Sequence, residues 1–248
     1  MSSGTVSGGT VSSGAANDLE KANAILRRMQ YPGLDGLPPA DTVAGPDTGG
    51  TLYGNVSALL SADRRADTIK LWAAFFMAFF TLYFLFSWIP KIAEDTGLTP
   101  VQGSYAGAIF NFGSFFGIVL LGHLSNAFGL KRIIFLFMIL SAALMLVFGM
   151  FRFPAAGFML VLFVLGFFVQ GGFVGLYSVA ARMYPIGIRT TGIGWGIGLG
   201  RFGAIISPAL GGIAIGLELP VVVIFILFAA PFVLAAYAQR CIRSGEIS

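Results

Sequence analysis

Residues 133–151 read IIFLFMILSAALMLVFGMF, an apolar run with no charged side chain and a single hydroxyl group. An α-helix rises about 1.5 Å per residue, so roughly 20 residues of this kind cross the hydrocarbon core of a bilayer. Strands of a membrane β-barrel would be shorter and would alternate apolar with polar residues, which this run does not do. The run therefore predicts a membrane-spanning α-helix.

Five further segments of similar length and polarity accompany this run. The six predicted spans are residues 71–89, 105–122, 133–151, 155–180, 192–215 and 219–238. Over the whole chain 56% of the residues are hydrophobic and 10% are charged, whereas soluble domains carry about 25% charged residues. The predicted fold is all-α, a six-transmembrane-helix bundle over residues 71–240 followed by a short tail at 241–248.

The first 70 residues contain no long apolar run and are predicted to stay outside the membrane. Residues 1–16 are rich in Ser, Gly and Thr, and residues 31–54 are rich in Pro, Gly and Asp, so both stretches are predicted to be flexible. Between them, residues 17–30 carry apolar side chains at helical spacing. This predicts a short amphipathic helix, either on the membrane surface or solvated.

Basic residues near the ends of the predicted spans are distributed unevenly. Two of them, Lys91 and Arg152, fall on one side of the membrane. Nine fall on the other side: Arg64, Arg65, Lys70, Lys131, Arg132, Arg182, Arg189, Arg240 and Arg243. Because Lys and Arg accumulate in cytoplasmic loops, the count predicts a multi-pass protein of the inner (plasma) membrane with both termini in the cytoplasm.

Several functional classes find no support in the composition. One cysteine, Cys241, and one histidine, His123, are too few for a disulfide framework or a zinc site, so no metal or cofactor is predicted. The basic residues are spread over short connections and form no stripe with aromatic residues, so nucleic acid is not a predicted partner. No HExxH or GxSxG motif and no pair of intramembrane acids is present, and the chain is not predicted to be an enzyme.

Arg201 is the one ionisable residue well inside a predicted span. Placing an arginine there costs about 2.5–3.5 kcal/mol on insertion scales, so a partner or a wet cavity is required. It is predicted to bind an anionic group or to gate; the alternative is that it pairs with backbone carbonyls or reaches an interface. Gly192, Gly196, Gly200 and Ala204 recur every four residues in the same span, which predicts close helix packing.

The other spans hold a few polar side chains that are candidates to line a cavity. Asn111 and Tyr83 lie in two different spans, while Gln170 and Tyr177 are seven residues apart and share one helical face. The alternative is that they only hydrogen-bond between helices, at about 0.6 kcal/mol per contact. Trp88, near the end of the first span, is predicted to lie in the interfacial aromatic belt.

Three stretches resemble the major facilitator superfamily, and more narrowly its aromatic acid:proton symporter branch. They are residues 184–192 (YPIGIRTTG), 198–204 (GLGRFGA) and 122–132 (GHLSNAFGLKR). The resemblance implies a twelve-helix secondary transporter built from two six-helix halves. The six spans here would be helices seven to twelve, and the implied partner is the first half or a second copy of the chain.

The resemblance also implies a function, proton symport of small organic acids with aromatic carboxylates as the expected class. It implies transport roles for Arg189 and Arg201, which match arginines of the family pattern. Asn126 stands where the gate motif has an acid, so that gate would have no charge-based lock. The intramembrane acids that couple protons belong to the other half. The alternative is a stand-alone six-helix membrane protein that assembles with itself or a partner and transports nothing.

Overall fold

The computed structural model describes residues 52–243 together with residues 20, 21, 23 and 24. Those four residues are helical and fall within the helix predicted at residues 17–30. The rest of that helix, the predicted flexible residues 1–16 and 31–51, and the tail from residue 244 lie outside the described residues. The chain divides into the units Met1–Gly49 and Gly50–Ser248, and the second contains everything described below.

Residues 52–243 form seven α-helices and no strand. The helices are α1 (Leu52–Leu59), α2 (Arg65–Asp95), α3 (Pro100–Phe128), α4 (Leu130–Met150), α5 (Ala155–Met183), α6 (Ile186–Gly216) and α7 (Val221–Arg240). The six from α2 to α7 are long and apolar enough to cross a membrane, and they correspond in order to the six predicted spans. The predicted all-α bundle of six spans is confirmed.

The helices extend beyond the apolar segments because polar residues continue them. At the start of α3 the Thr99 side chain accepts a hydrogen bond from the Gln102 backbone at 3.3 Å. The Gln102 side chain accepts one from the Thr99 backbone at 2.9 Å. This capping box, with Pro100 in the first helical turn, starts α3 five residues before the predicted span.

The residues before the first span are more ordered than predicted. The prediction had a flexible stretch up to residue 54 and a boundary at residue 70, whereas α1 begins at Leu52 and α2 at Arg65. Leu59 is fully buried, and its carbonyl accepts a hydrogen bond from the Thr68 hydroxyl at 3.0 Å. Burial of one leucine and one hydrogen bond thus fasten this segment to the bundle.

The helix α2 is the centre of the bundle and packs against α6, α7 and α3. The buried Thr81 hydroxyl donates a hydrogen bond to the Phe228 carbonyl of α7 at 2.8 Å. The Phe84 and Phe228 rings stack with centroids 3.6 Å apart. The other large contacts are between α3 and α5 and between α4 and both α5 and α7.

The backbones of α3 and α5 touch each other at glycines. A Cβ atom at Gly113 or Gly117 of α3, or at Gly166 of α5, would lie within 2.0 Å of a carbonyl oxygen of the facing helix. Small residues allow this approach, which adds dispersion contacts between helices in lipid. The four-residue spacing of Gly113 and Gly117 was a signal for it that the sequence prediction did not use.

The predicted row of small residues on α6 does pack closely, but against side chains. A Cβ atom at any of its three glycines would lie 2.3–2.9 Å from an aromatic ring. The pairs are Gly192 with Tyr184, Gly196 with Phe75, and Gly200 with Phe79. The glycines therefore make room for the aromatic residues that α2 and the loop before α6 direct at this helix.

Trp88, predicted to lie in the interfacial aromatic belt, also makes a contact that the sequence did not predict. Its indole N–H donates a hydrogen bond to the Pro208 carbonyl of α6 at 3.0 Å, and the ring is half-buried. A Cβ at Gly211 would lie 2.6 Å from the indole nitrogen, so the ring fits only because that position is glycine. Trp88 therefore joins α2 to α6 rather than simply marking the interface.

The first and last described segments of this unit meet at one end of the bundle. Lys70 donates hydrogen bonds to the Cys241 carbonyl at 2.8 Å and to Asp67 at 3.0 Å. The backbone N–H of Arg243 donates to the same carboxylate at 3.2 Å. This end, called the basic end below, carries the nine basic residues counted in the sequence.

Candidate functional site

The predicted site residues fall into three places. Four lie in the middle part of the bundle: Tyr83 on α2, Gln170 and Tyr177 on α5, and Arg201 on α6. Arg189 and Asn126 lie towards the basic end, and Asn111 lies on α3. Because α6 rises about 1.5 Å per residue, Arg189 and Arg201 are about 18 Å apart along it.

Five aromatic rings from α2 and α5 form a continuous chain of contacts, called the aromatic surface below. Its members are Phe75, Phe79, Tyr83, Phe173 and Tyr177. Phe79 meets Phe173 edge to face with ring centroids 4.8 Å apart, and it lies 5.9 Å from Tyr83. Tyr177 contacts Phe173 at 5.6 Å and Phe75 at 5.2 Å. Three of these four contacts are edge to face, a favoured geometry for aromatic pairs.

Arg201 lies beside the aromatic surface. It follows Gly200, the residue against which Phe79 packs. Its side chain is exposed and is close enough to interact electrostatically with Tyr177, which also interacts with Tyr83. Among the residues that the structure describes, none accepts a hydrogen bond from Arg201 or forms an ion pair with it. Its guanidinium therefore presents free donors next to apolar rings.

Gln170 extends the same face of α5, three residues before Phe173 and seven before Tyr177. Its side-chain oxygen is buried and accepts no hydrogen bond within the described part of the chain. A buried acceptor without a partner costs about 1–3 kcal/mol. Gln170 is thus a member of the mid-bundle group with a buried polar atom that lacks a hydrogen bond.

The remaining three predicted residues are elsewhere. Asn111 is exposed, and its amide donates to the Gly107 carbonyl of its own helix at 2.9 Å. Arg189 donates from Nε to the Tyr184 carbonyl at 3.1 Å and so closes the C-terminal end of α5. Asn126 is exposed near the end of α3. The structure therefore brings the four mid-bundle residues together and leaves these three apart from them.

Sequence reasoning missed the phenylalanines of the aromatic surface. With 25 Phe in the chain, no single one stands out. The available signal was the spacing of Phe75, Phe79 and Tyr83 at four-residue intervals, which puts their rings on one face of α2.

Tyr184 anchors the loop between α5 and α6. Its ring is 1% exposed, and its hydroxyl lies beside Thr68 and Trp72 at the start of α2. Burial raises the pKa of Tyr184, and interaction with those two side chains partly offsets the effect. The tyrosine of the YPIGIRTTG stretch is therefore a buried packing contact of the loop, with its ring against Gly192 and its hydroxyl without a hydrogen-bond partner in the described residues.

Two helices leave a large face open. In their most apolar stretches only 28% of α3 and 33% of α6 is buried, less than in the other spans. The open side of α6 forms a groove of about 470 Å³. It is lined by Thr190, Thr191, Gly194, Trp195, Gly198, Leu199 and Phe202.

A comparison with protein families decides the relationship of the chain. The family model of the Major Facilitator Superfamily matches residues 71–242, which include all six spans. The chain belongs to the Major Facilitator Superfamily. It is therefore a multi-pass membrane protein of a transporter family, as the resemblance of the three quoted stretches predicts.

Relatives within the superfamily are named as transporters of aromatic acids. The chain is 32% identical to the 4-hydroxybenzoate transporter PcaK of Pseudomonas aeruginosa over 164 residues, which are 66% of this chain and 37% of that protein. It is 28% identical to PcaK of Acinetobacter baylyi over 221 residues, or 88% of this chain and 48% of that protein. It is 28% identical to the gallate transporter of Pseudomonas putida over 180 residues, or 73% of this chain and 40% of that protein. The chain spans less than half the length of each of these relatives.

Proposed function

We propose that this chain is the C-terminal six-helix half of a proton-coupled symporter for small organic acids, with aromatic carboxylates as the substrate class. The observation that carries the proposal is the position of Arg201 beside the aromatic surface. The names of the relatives, which refer to 4-hydroxybenzoate and gallate, support the same class of substrate.

The two parts of an aromatic carboxylate fit the two parts of this site. A planar guanidinium binds a carboxylate through two parallel hydrogen bonds, and Arg201 has donors free for this. The substrate ring then packs against Tyr83 and Tyr177, the two rings of the aromatic surface that are not buried, in offset or edge-to-face contact. Gln170 lies on the same face of α5 and supplies a further polar group.

The second half of the transporter packs on the open faces of α3 and α6. Substrate binds near the bilayer midplane between the halves, and rocking of one half against the other alternates access. The described spans place no carboxylate next to Arg201, so the proton-binding acid is contributed by the other half. The basic end faces the cytoplasm, in the inner (plasma) membrane.

The test measures benzoate binding and uptake by a complete transporter that contains this chain. Arg201→Ala removes the charge and should weaken binding about tenfold or more, because a charge-assisted bidentate pair is lost. Arg201→Lys keeps the charge but loses the planar fork and should also impair binding. Arg182→Gln, an exposed arginine at the basic end, is the matched control and should bind normally.

Parental binding and uptake in both Arg201 variants would show that the arginine has no substrate role. A stand-alone bundle without transport, the alternative function, would show no specific benzoate binding in any variant. Surface expression of each variant must be equal for the comparison to count.

A further inference from the structure

We propose that Arg132 and Arg240, at the basic end of the pair α4 and α7, bind the headgroup of an anionic phospholipid. This site lies on α4 and α7, whereas Arg201 lies on α6 and the aromatic surface on α2 and α5. It does not depend on the proposed transport activity.

Hydrogen bonds place the two arginines at the same level of the bundle. The Gln239 side chain of α7 donates to the Lys131 carbonyl of α4 at 3.1 Å. The Lys131 ammonium in turn donates to the Ile242 carbonyl just after α7. Arg132 and Arg240 are the sequence neighbours of Lys131 and Gln239, so they lie at the same level, at the start of α4 and the end of α7.

The local charge is strongly positive, and Asp67, the acid that contacts this region within residues 52–243, is already engaged. Asp67 accepts hydrogen bonds from Lys70 and from the backbone of Arg243. Both Arg132 and Arg240 are exposed, and neither forms an ion pair with a carboxylate in the described residues. Five basic side chains surround this level: Lys70, Lys131, Arg132, Arg240 and Arg243. An anion from outside the chain is the group that complements them.

Arg240 is held in one orientation by an aromatic ring. Its guanidinium carbon lies 4.7 Å from the centroid of the Phe135 ring. Phe135 in turn meets Tyr237 edge to face with centroids 5.4 Å apart. Stacking occupies a face of the guanidinium and leaves its N–H edge free, and that edge is the part that binds phosphate through paired hydrogen bonds.

An apolar wall lies directly below the two arginines, on the side towards the membrane interior. Leu136 is one turn deeper than Arg132, and Leu234 and Tyr237 lie one to two turns deeper than Arg240. These three side chains are 48%, 54% and 54% exposed, respectively. A phospholipid brings a phosphate to the arginines and an acyl chain to this wall, whereas inorganic phosphate contacts only the arginines.

The headgroup should carry a net negative charge. Phosphatidylethanolamine would bring its own ammonium into a site already rich in cations, whereas phosphatidylglycerol adds only negative charge. Basic clusters at a membrane interface attract anionic lipids for this reason. Phosphatidylglycerol is therefore the probe.

The experiment counts lipids retained on the purified 248-residue chain by native mass spectrometry, from detergent with equal phosphatidylglycerol and phosphatidylethanolamine. The parental chain should retain phosphatidylglycerol preferentially. The double variant Arg132→Gln/Arg240→Gln should lower its retention about tenfold or more, since two basic contacts are lost. Arg240→Lys keeps the charge but loses the stacked planar group and should give an intermediate loss.

The matched control is Arg65→Gln/Arg182→Gln, which removes the same charge from exposed positions at the same end, on α2 and α5 instead of α4 and α7. It should retain the lipid as the parental chain does. The site would be overturned if the control lost as much phosphatidylglycerol as the Arg132/Arg240 variant. It would also be overturned if the Arg132/Arg240 variant retained as much phosphatidylglycerol as the parental chain. Displacement of the lipid by inorganic phosphate at the same concentration would overturn the lipid assignment. Equal melting temperatures show that the variants are folded.

Discussion

Tyr184 places a buried phenol at the basic end of the bundle, so its contribution to stability is pH-dependent. Because burial raises the pKa of Tyr184, the folded state binds the phenolic proton more tightly than the unfolded state does. The resulting stability is fully present below the unfolded pKa of about 10 and is lost as pH rises towards the folded pKa. The protein should therefore melt at lower temperature above about pH 10.

Tyr184→Phe removes the ionisable group and should move this alkaline loss of stability to higher pH. The measurement is the melting temperature in detergent between pH 8 and 12. Tyr105→Phe, at an exposed position on α3, is the control and should leave the curve unchanged. An alkaline transition that is the same in Tyr184→Phe and the parental protein would refute the assignment.

Phe79 is the central ring of the aromatic surface, in contact with Phe173, Tyr83 and the backbone at Gly200. Phe79→Leu keeps an apolar side chain but removes the edge-to-face contact with Phe173, worth about 0.5–1.5 kcal/mol. Phe79 is buried and acts by holding Phe173 and Tyr83, so loss of this packing should lower the benzoate affinity of the complete transporter roughly 2- to 12-fold. Phe115→Leu, at a ring 61% exposed on α3, should leave affinity unchanged. If Phe79→Leu bound benzoate with the parental affinity, the aromatic surface would have no role in substrate binding.

Single residues differ in how visible they are from sequence. Arg201 could be predicted because a charged side chain inside an apolar helix is costly to insert into the membrane and therefore points to a functional role. From the sequence, Asn111 and Gln170 were equally good candidates to line a cavity. The Asn111 amide, however, donates a hydrogen bond to a carbonyl of its own helix, and the residue type does not reveal this. Phe79 was hidden by the abundance of phenylalanine, and only its neighbours in three dimensions single it out.

At the level of helices, the contact between α3 and α5 depends on glycine. Gly113→Ala and Gly117→Ala each force a methyl group against a carbonyl of α5, and overpacking of this kind costs about 1–3 kcal/mol. Each variant should unfold at a lower denaturant concentration in detergent.

Gly122→Ala is the control in the same helix, since a Cβ there meets nothing within 4 Å. It should be neutral or slightly stabilising, because alanine has the higher helix propensity. Equal destabilisation by all three alanines would mean that helix flexibility matters here and that close approach does not.

Trp88→Phe tests the bond between α2 and α6. Phenylalanine fills most of the same space but cannot donate to the Pro208 carbonyl, so stability should fall by about 0.5–1.5 kcal/mol. Trp195→Phe is the comparison, because Trp195 is 45% exposed and stacks on Trp72 of α2 without donating a hydrogen bond to any described residue. A Trp88 variant as stable as the parental protein would show that the indole bond adds nothing.

The existence and order of the helices followed from hydropathy alone, because lipid demands long apolar helices with internally paired backbones. The helix ends did not, since capping residues such as Thr99 continue a helix past its apolar segment. The helix α1 was missed because its burial rests on Leu59 meeting the rest of the bundle. Such tertiary contacts leave no periodic signal in a polar stretch.

For the whole molecule, the placement of residues 67–70 and 241–243 at one end leads to a topology test. Reporter fusions after Ser61 and after Arg243 should report the same compartment, and the basic-residue count makes it the cytoplasm. A fusion after Asp95, at the end of α2, should report the other side. Opposite compartments for Ser61 and Arg243 would exclude the six-span arrangement.

The chain by itself should not perform pH-driven uptake. Arg201 is exposed on α6, one of the two helices with an open face, and the described spans hold no acid beside Arg201 to carry a proton. Liposomes containing only this chain should accumulate no benzoate under a pH gradient, while liposomes with the complementary half added should. Robust uptake by the chain alone would indicate that two copies complete the site.

The contact between Thr81 and Phe228 joins residues 147 positions apart, so it cannot form until α7 has been synthesised. Of the six described spans α2 is translated first, whereas α6 and α7, two of its main partners, are translated last. At about 5–20 residues per second, α2 waits roughly 7–30 s for the α7 carbonyl to be made. During that interval the Thr81 hydroxyl must bond within its own helix, and the ribosome and insertion machinery, rather than the finished fold, must keep α2 from pairing with the wrong helix.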